Sequence, residues 1–281
     1  MIVVTGATGK VGRSLVRTLA AAGEQVTATS RGISEADVPE GVRQRRADLA
    51  DAGSLRPVFD GADALFLQNG GAAAHLLNPG DILDVAKAAG VERLVLLSSQ
   101  GVATRPESAS HGAVGRAIED AVRQSGLDWT ILRPGGFHSN TYAWAEGVRT
   151  RRTVEAPFGD VGLPLIDPDD IAEVAAAALR EDGHTGRIHE LTGAVPITPR
   201  QCAAALGDAL GEPVAFVEQT RDEARAQMLR FMPEPVVDTT LDILGRPTPA
   251  EQRVSPDVER ILGRPARGYA DWARRNVAAF R

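Results

Sequence analysis

At 281 residues, 43% hydrophobic and 24% charged with a formal charge of -6, the chain is globular, with one large unit or a main domain and a smaller appendage; disorder, collagen and coiled coil are excluded. No stretch approaches the ~20 consecutive apolar residues of a membrane helix, and Met1-Ile2-Val3-Val4 runs straight into glycines without a signal pattern, so a cytoplasmic protein with no membrane partner is expected. The lone Cys202 offers no internal disulfide, no Cys/His cluster suggests a metal, and 29 arginines against two lysines under net negative charge disfavour nucleic-acid binding.

The β-branched run Ile2-Val3-Val4 enters Thr5-Gly6-Ala7-Thr8-Gly9-Lys10-Val11-Gly12, after which Leu15, Val16 and Leu19 recur at helical spacing up to Gly23. This predicts strand, glycine turn and helix. Strands follow over 25–30 and 42–46, then a helix over 54–59 and a strand over 64–67. A helix over 79–89 closes on Gly90, the strand 93–97 ends at Ser98-Ser99, and a helix over 114–124 precedes a strand over 129–132. Nearly continuous apolar strands alternating with helices predict an α/β fold of the Rossmann type, a doubly wound parallel sheet covered on both faces.

From residue 134 the rhythm turns irregular, with prolines at 134, 157, 164 and 168, and the run Arg149 to Arg152 reads as a solvated turn. An alanine-rich helix over 169–179 and a strand over 187–191 follow. The tail from Thr198 predicts helices over 199–210, 220–231, 235–244 and 256–262 with a short strand at 214–217. Residues 1–133 are thus expected to form a dinucleotide-binding core. Residues 134–281 are expected to form a smaller, mostly helical substrate lobe over the carboxyl edge of the sheet, with segments returning to it.

Gly6, Gly9 and Gly12 stand three apart between the first strand and the first helix. Such glycines allow a close turn, backbone approach to a pyrophosphate and tight packing of helix on strand, with the phosphates at the helix N-terminus. A cofactor lacking a 2′-phosphate would meet an acidic side chain at the end of the second strand. This chain has Thr29-Ser30-Arg31 there, so Arg31 is expected to clamp the 2′-phosphate of NADP(H), with Ser30 as a neutral donor and Lys10 near.

With this motif stand Arg46-Ala47-Asp48-Leu49, Ala89-Gly90-Val91-Glu92-Arg93-Leu94-Val95-Leu96-Leu97-Ser98-Ser99, and Gly126-Leu127-Asp128-Trp129-Thr130-Ile131-Leu132-Arg133-Pro134-Gly135-Gly136-Phe137. Asp167-Pro168-Asp169-Asp170-Ile171-Ala172 and Leu191-Thr192-Gly193 follow in order. Over nearly its whole length the chain resembles the NmrA-like branch of the atypical short-chain dehydrogenase/reductases, and within it the NADPH:quinone reductase-like members. The resemblance implies a pyrophosphate over Gly6 to Gly12, with Thr8, Gly9, Lys10 and Val11 between them. It implies the adenine beside Asp48 and Leu49, the nicotinamide ribose near Gln68, Ser98 and Ser99 with Asn69 adjoining, and the loop of Pro134, Gly135 and Phe137 flanking the nicotinamide. Asp48 as a turn cap and Phe137 as a core residue are the competing readings.

Tyrosine-dependent short-chain reductases use a Tyr and, four residues on, a Lys that lowers the phenol pKa for proton donation. The only tyrosines here are Tyr142 and Tyr269 and the only lysines Lys10 and Lys87; His111 and Gly115 stand at the Tyr-like and Lys-like positions. An ordinary ketone reductase is therefore not expected. Two routes remain: a quinone-like or conjugated acceptor that needs no strong acid, or His111 as proton donor. Gln100, Phe137, His138 and Asn140 are the candidates for contacting a small-molecule substrate. A non-catalytic NADP(H) sensor and a biosynthetic isomerase or dehydratase are the alternatives, and monomer and homodimer both stay open.

Overall fold

The computed structural model describes residues 1–68 and 76–281. The order is β1 (Ile2–Thr5), α1 (Gly12–Ala21), β2 (Val26–Ser30), β3 (Arg43–Arg46), α2 (Ala52–Phe59), β4 (Ala64–Gln68), α3 (Pro79–Ala88), β5 (Arg93–Leu97), α4 (Gly101–Thr104), α5 (Val114–Gln124) and β6 (Asp128–Pro134). Then come α6 (Ala145–Arg151), β7 (Thr153–Pro157), α7 (Pro168–Arg180), β8 (Arg187–Leu191), α8 (Pro199–Leu210), β9 (Ala215–Gln219), α9 (Arg221–Met228), α10 (Glu234–Gly245), α11 (Pro249–Gln252), α12 (Asp257–Leu262) and α13 (Tyr269–Asn276). Seven strands form one sheet in the order β3-β2-β1-β4-β5-β6-β8, every pair parallel.

Side chains alternate along a strand, and here both faces are apolar. Val4, Phe66, Val95 and Leu132 meet Leu15, Val16 and Leu19 of α1 and Ile171, Val174 and Ala175 of α7. On the other face Val3, Leu65, Leu94, Leu96 and Ile131 meet Leu55 and Phe59 of α2, Ile82 and Val85 of α3, and Ile118 and Val122 of α5. This is the expected doubly wound sheet; β8 is part of it and α7 packs on it. The β3 edge, Arg43-Gln44-Arg45-Arg46, is half-buried only at Gln44, and its arginines discourage pairing with another edge.

The remaining elements build a second core. α6, β7, α8 and α13 enclose Val148, Val154, Leu206, Trp272 and Phe280, and β7 pairs with β9 in a separate two-stranded parallel sheet. Cys202 of α8 is buried there, and burial pushes its thiol up to about 12. Arg149 to Arg152 is no free turn. It ends α6, where Arg152 takes the left-handed conformation at φ 51° and its guanidinium donates to the Val148 carbonyl at 2.7 Å. β7, α6 and α13 are not signalled by the sequence pattern, and the helix expected to reach residue 231 stops at Met228.

At the other edge of the sheet, His189 of β8 is 5% exposed, and its Nε2 shares a hydrogen bond of 3.1 Å with Nδ1 of His184. Burial, with His184 beside it, pulls its pKa down to about 4, although Asp257 lies 3.8 Å away. The folded state therefore keeps His189 neutral, while the unfolded chain takes up a proton below pH ~6.5. Stability from this residue is full above that pH and is lost as pH falls from ~6.5 toward 4. Denaturant titrations of His189→Gln across this window should show a shallower loss of stability on acidification than the unsubstituted protein.

Candidate functional site

The site is built where the chain turns outward on either side of the β1/β4 pair. Thr5 Oγ1 donates to the Phe66 carbonyl at 3.0 Å and accepts from the Gln68 amide at 3.0 Å, which ties the two strand ends together. Gly6 then takes a positive φ of 62°, and the Gly9 amide closes the turn on the Gly6 carbonyl at 2.9 Å. The three glycines are not equivalent. A Cβ on Gly12 would stand 2.2 Å from the Gly6 carbonyl oxygen, whereas one on Gly9 would stand 3.1 Å from it. Gly12 is thus needed for helix packing, and Gly9 for an open cleft. α1 begins without a side-chain cap or an acidic residue in its first turn, so its N-terminal amides and positive dipole end are left for an anion.

A cleft of about 350 Å³ runs from this turn along the strand ends. Gly6, Thr8, Gly9, Ser30, Arg31, Asp48, Leu49 and Gln68 line it. Thr29 also lines it, and its buried hydroxyl has no hydrogen-bond partner within the described residues, which fits a ligand hydroxyl or ring nitrogen there. Thr8 Oγ1 donates to Ser30 Oγ at 3.2 Å, joining the glycine turn to the end of β2. Asp48 lines the cleft, and its carboxylate accepts from the Ala50 amide at 3.0 Å to shape the turn before α2. Sequence reasoning assigned no role to Thr29, Gly32 or Leu77, which also line the cleft; a bare hydroxyl before Ser30 was the one available signal.

Other residues lie elsewhere. Lys10 reaches away from the Ser30–Arg31 end; its Nζ donates to the Ser139 carbonyl and to Asn140 Oδ1, both at 3.3 Å, because the turn of His138–Trp144 passes over the start of α1. Burial lowers the Lys10 pKa. Val11 and Gly12 are buried beneath the turn. Ser98 is 5% exposed and gives its hydroxyl to Glu119 Oε1 at 2.6 Å, a carboxylate that also receives Arg133 at 2.6 and 2.9 Å. The Ser98 hydroxyl is thus committed to Glu119 rather than free for the ribose contact expected of it. Asn69 lies outside the described residues.

Beyond Ser99 the chain enters α4. The Gln100 amide donates to the Pro134 carbonyl at 2.9 Å, and Gln100 Oε1 lies 3.2 Å from where a Cβ on Gly135 would be, so the ends of β5 and β6 meet there. His111 belongs to a π-turn, Ala109–Ala113. A Cβ on Gly101 would meet both His111 Cβ at 3.1 Å and Ser99 Oγ at 3.4 Å, so these residues converge on one point. His111 Nδ1 shares a hydrogen bond of 2.9 Å with Ser110 Oγ, and burial lowers its pKa, with Glu251 opposing in part. The imidazole is neutral at pH 7.

Phe137 is half-buried and packs against the core beside Ile166. His138 is 1% exposed and edge-on to Tyr269 at 5.2 Å, and burial holds it near pKa 4; it faces the interior of the second lobe. Asn140 is exposed and holds Lys10. Of the residues considered for substrate contact or as acid, Gln100 and His111 both flank Gly101. The Lys-like position has no room for lysine, since a Cβ on Gly115 would stand 2.6 Å from Val102 Cγ2. Both tyrosines sit in one aromatic cluster with Trp272 and Phe280, and burial raises the phenol pKa of each.

A family model described as NAD(P)H-binding matches residues 6–182, which take in the glycine turn and α1. The chain belongs to this family. It is 38% identical to (4-alkanoyl-5-oxo-2,5-dihydrofuran-3-yl)methyl phosphate reductase of Streptomyces griseus, over 100% of this chain and 99% of that protein. To the NAD(P)H azoreductase of Xenophilus azovorans it is 31% identical, over 100% and 99%. The crystal structure of the NADPH-dependent quinone oxidoreductase QOR2 of Escherichia coli with NADPH superposes at a TM-score of 0.79 and 25% identity, covering 97% of this chain and 98% of that one. The NmrA-like reductase resemblance thus holds, and the chain is an NAD(P)H-dependent oxidoreductase of that family.

The unequal glycines give a test of the turn. Gly9→Val should abolish NADPH binding while leaving a cooperative melt near that of the unsubstituted protein, because the added methyls enter the cleft. Gly12→Ala should instead lower the melting temperature together with binding. Calorimetric titration paired with thermal unfolding reads both, and a Gly9→Val protein that binds at full strength overturns the placement.

Proposed function

We propose that the protein transfers a hydride from NADPH to a quinone-like or conjugated small-molecule acceptor without a phenol acid of its own. The observation that carries this is the substrate side itself: a neutral His111 and the Gln100 amide, with neither tyrosine nor lysine near them. A simple ketone would need a proton as its alkoxide forms. A conjugated acceptor does not, because the electron pair that arrives with hydride spreads to a carbonyl or phenolate oxygen, and water protonates it afterwards.

The nicotinamide supplies the hydride when bound. The chain does the rest. Arg31 and Ser30 hold the 2′-phosphate, the amides opening α1 hold the pyrophosphate, and Thr29, Asp48 and Leu49 face the adenosine. Gln100 and His111 orient the acceptor as neutral hydrogen-bonding groups, and the second lobe keeps water from the reacting face. The relatives support this acceptor class: one is named for a 4-alkanoyl-5-oxo-dihydrofuran, a ring alkene flanked by carbonyls, and another for azo compounds. A small-molecule partner and NADP(H) follow, with no nucleic acid.

Arg31 should set cofactor choice. Titrations at fixed salt should show NADPH binding tighter than NADH by ~1.5–3 kcal/mol, and Arg31→Ala should close most of that gap, since its guanidinium gains a charge-assisted pair only with the 2′-phosphate. Equal affinities in the unsubstituted protein would sink this assignment.

Turnover is tested by loss of nicotinamide absorbance with quinones, enones and azo compounds. His111→Ala should slow turnover of a quinone by less than the ~10²–10⁴-fold of general acid catalysis. A larger loss, with cofactor binding intact and a rate falling as pH rises through the histidine range, would make His111 the proton donor and bring simple carbonyls back. Tight NADPH binding with no acceptor reduced would favour a sensor.

A further inference from the structure

One buried ion pair joins the two lobes beside the substrate side, and nothing in the cofactor site accounts for it. Arg105, the residue that ends α4, donates Nε to Glu251 Oε1 and Nη2 to Glu251 Oε2, each at 2.8 Å. Its Nη2 also donates to the Arg246 carbonyl at 3.0 Å. The Glu251 side chain is 3% exposed and that of Arg105 22%. Glu251 Oε2 accepts further from the Thr248 amide at 2.8 Å, so the carboxylate also caps α11. Burial pushes the Glu251 carboxyl up, the Arg105 fork and the Thr248 amide outweigh it, and the group rests below the usual range as a carboxylate.

The pair fixes more than itself. With α11 held, the Ala250 carbonyl accepts from Gln100 Nε2 at 3.2 Å, which sets the direction of that amide. The Gln100 carbonyl in turn accepts from Thr104, next to Arg105. On the far side Ser110, which holds His111 Nδ1, donates to the Pro235 carbonyl at 3.2 Å, and Ser108 Oγ lies 3.2 Å from Thr239 Oγ1, both partner residues being on α10. α10 is seated at its other end by Phe158, whose ring lies 2.5 Å from where a Cβ on Gly245 would be, next to Arg246. Both candidate substrate residues therefore take their orientation from segments of the second lobe that Arg105 and Glu251 fasten to the sheet.

We propose that Arg105 and Glu251 are positioning residues for the acceptor, a clasp that aligns Gln100 and His111 with the cofactor without contributing to cofactor affinity. The proposal rests on the hydride-transfer reading for its acceptor. Its physical basis is that a fork-to-carboxylate pair fixes direction as well as distance, which a hydrophobic contact of equal stability does not. A purely structural pair makes a different prediction: replacing both members by apolar residues of similar volume is often neutral for folding, and then activity would be kept as well.

The test is Arg105→Met with Glu251→Met in one protein, beside the single variants Glu251→Gln and Arg105→Lys. The expected result for the double variant is a melting temperature close to that of the unsubstituted protein and unchanged NADPH affinity. Its kcat/KM with a quinone should fall by about 10–100-fold, since displacing an orienting group by an ångström or so costs on that scale. Arg105→Lys, which keeps the charge but not the fork, should fall between. Unchanged acceptor kinetics in a folded double variant, or NADPH affinity lost in step with turnover, overturns the clasp. Should the double variant not fold, Glu251→Gln carries the same decision. Amide hydrogen exchange gives a readout independent of turnover, and it also decides the matter if the unsubstituted protein reduces no acceptor, an outcome that would count against hydride transfer alone. Protection should fall over 100–104 and 109–113 and stay unchanged over 2–30, and full protection over the first two segments overturns the proposal.

Discussion

The chain leaves β1 in one direction along the sheet and β4 in the other, and right-handed crossovers then oblige the connecting helices to part at that point. A crevice at the carboxyl ends of β1 and β4 is the necessary result, and a single hydroxyl makes it usable. Thr5 stitches the Phe66 carbonyl and the Gln68 amide across the gap, so both strands end at a common level. Gly6 turns above that level, Gly12 lets α1 sit against the turn, and every residue assigned to the cofactor is placed relative to these three.

Most of this half was legible in the sequence, because parallel strands buried on both faces leave nearly unbroken apolar runs and the glycine turn has a fixed spacing. The second lobe was legible only in part. β7 contains Glu155 and ends at Pro157, and β9 is largely exposed, so neither shows the apolar run of a buried strand. α6 has one fully buried residue, Val148, too few to show a helical stripe. At the site, Ser98 and Ser99 look alike in sequence, and only the fold reveals that one hydroxyl belongs to Glu119, twenty-one residues on. The same holds for Lys10, whose partners Ser139 and Asn140 lie about 130 residues away. Local pattern cannot report a pairing made across two lobes.

The absence of a phenol acid is connected to the shape of the second lobe. In and beside its core Trp272 meets Tyr142 and Phe280 edge to face and Tyr269 at a tilt, and Tyr142 stacks on Phe280. Tyr269 Oη finds its partner in Thr141 at 2.8 Å, and His138 is drawn into the same cluster. The tyrosines, and the histidine nearest the Pro134 to Phe137 loop, are thus committed to packing. On the proposed reading, Gln100 and His111 are what remains on the acceptor side.

The burial of Cys202 has a consequence for a protein that handles electrophiles. The carbon of a conjugated acceptor that takes hydride also takes a thiolate or a free amine, and either addition would end the life of the molecule that hosts it. The sole thiol lies 1% exposed in the second core, and with its pKa near 12 it supplies almost no thiolate. Of the two lysines, Lys10 is engaged with Ser139 and Asn140, and Lys87 pairs with Asp84 at 3.1 Å on the outer face of α3. Positive charge is carried almost wholly by guanidinium groups, which stay protonated and do not alkylate under such conditions. On the hydride-transfer reading, neither the thiol nor the two lysine amines stand open to the acceptor.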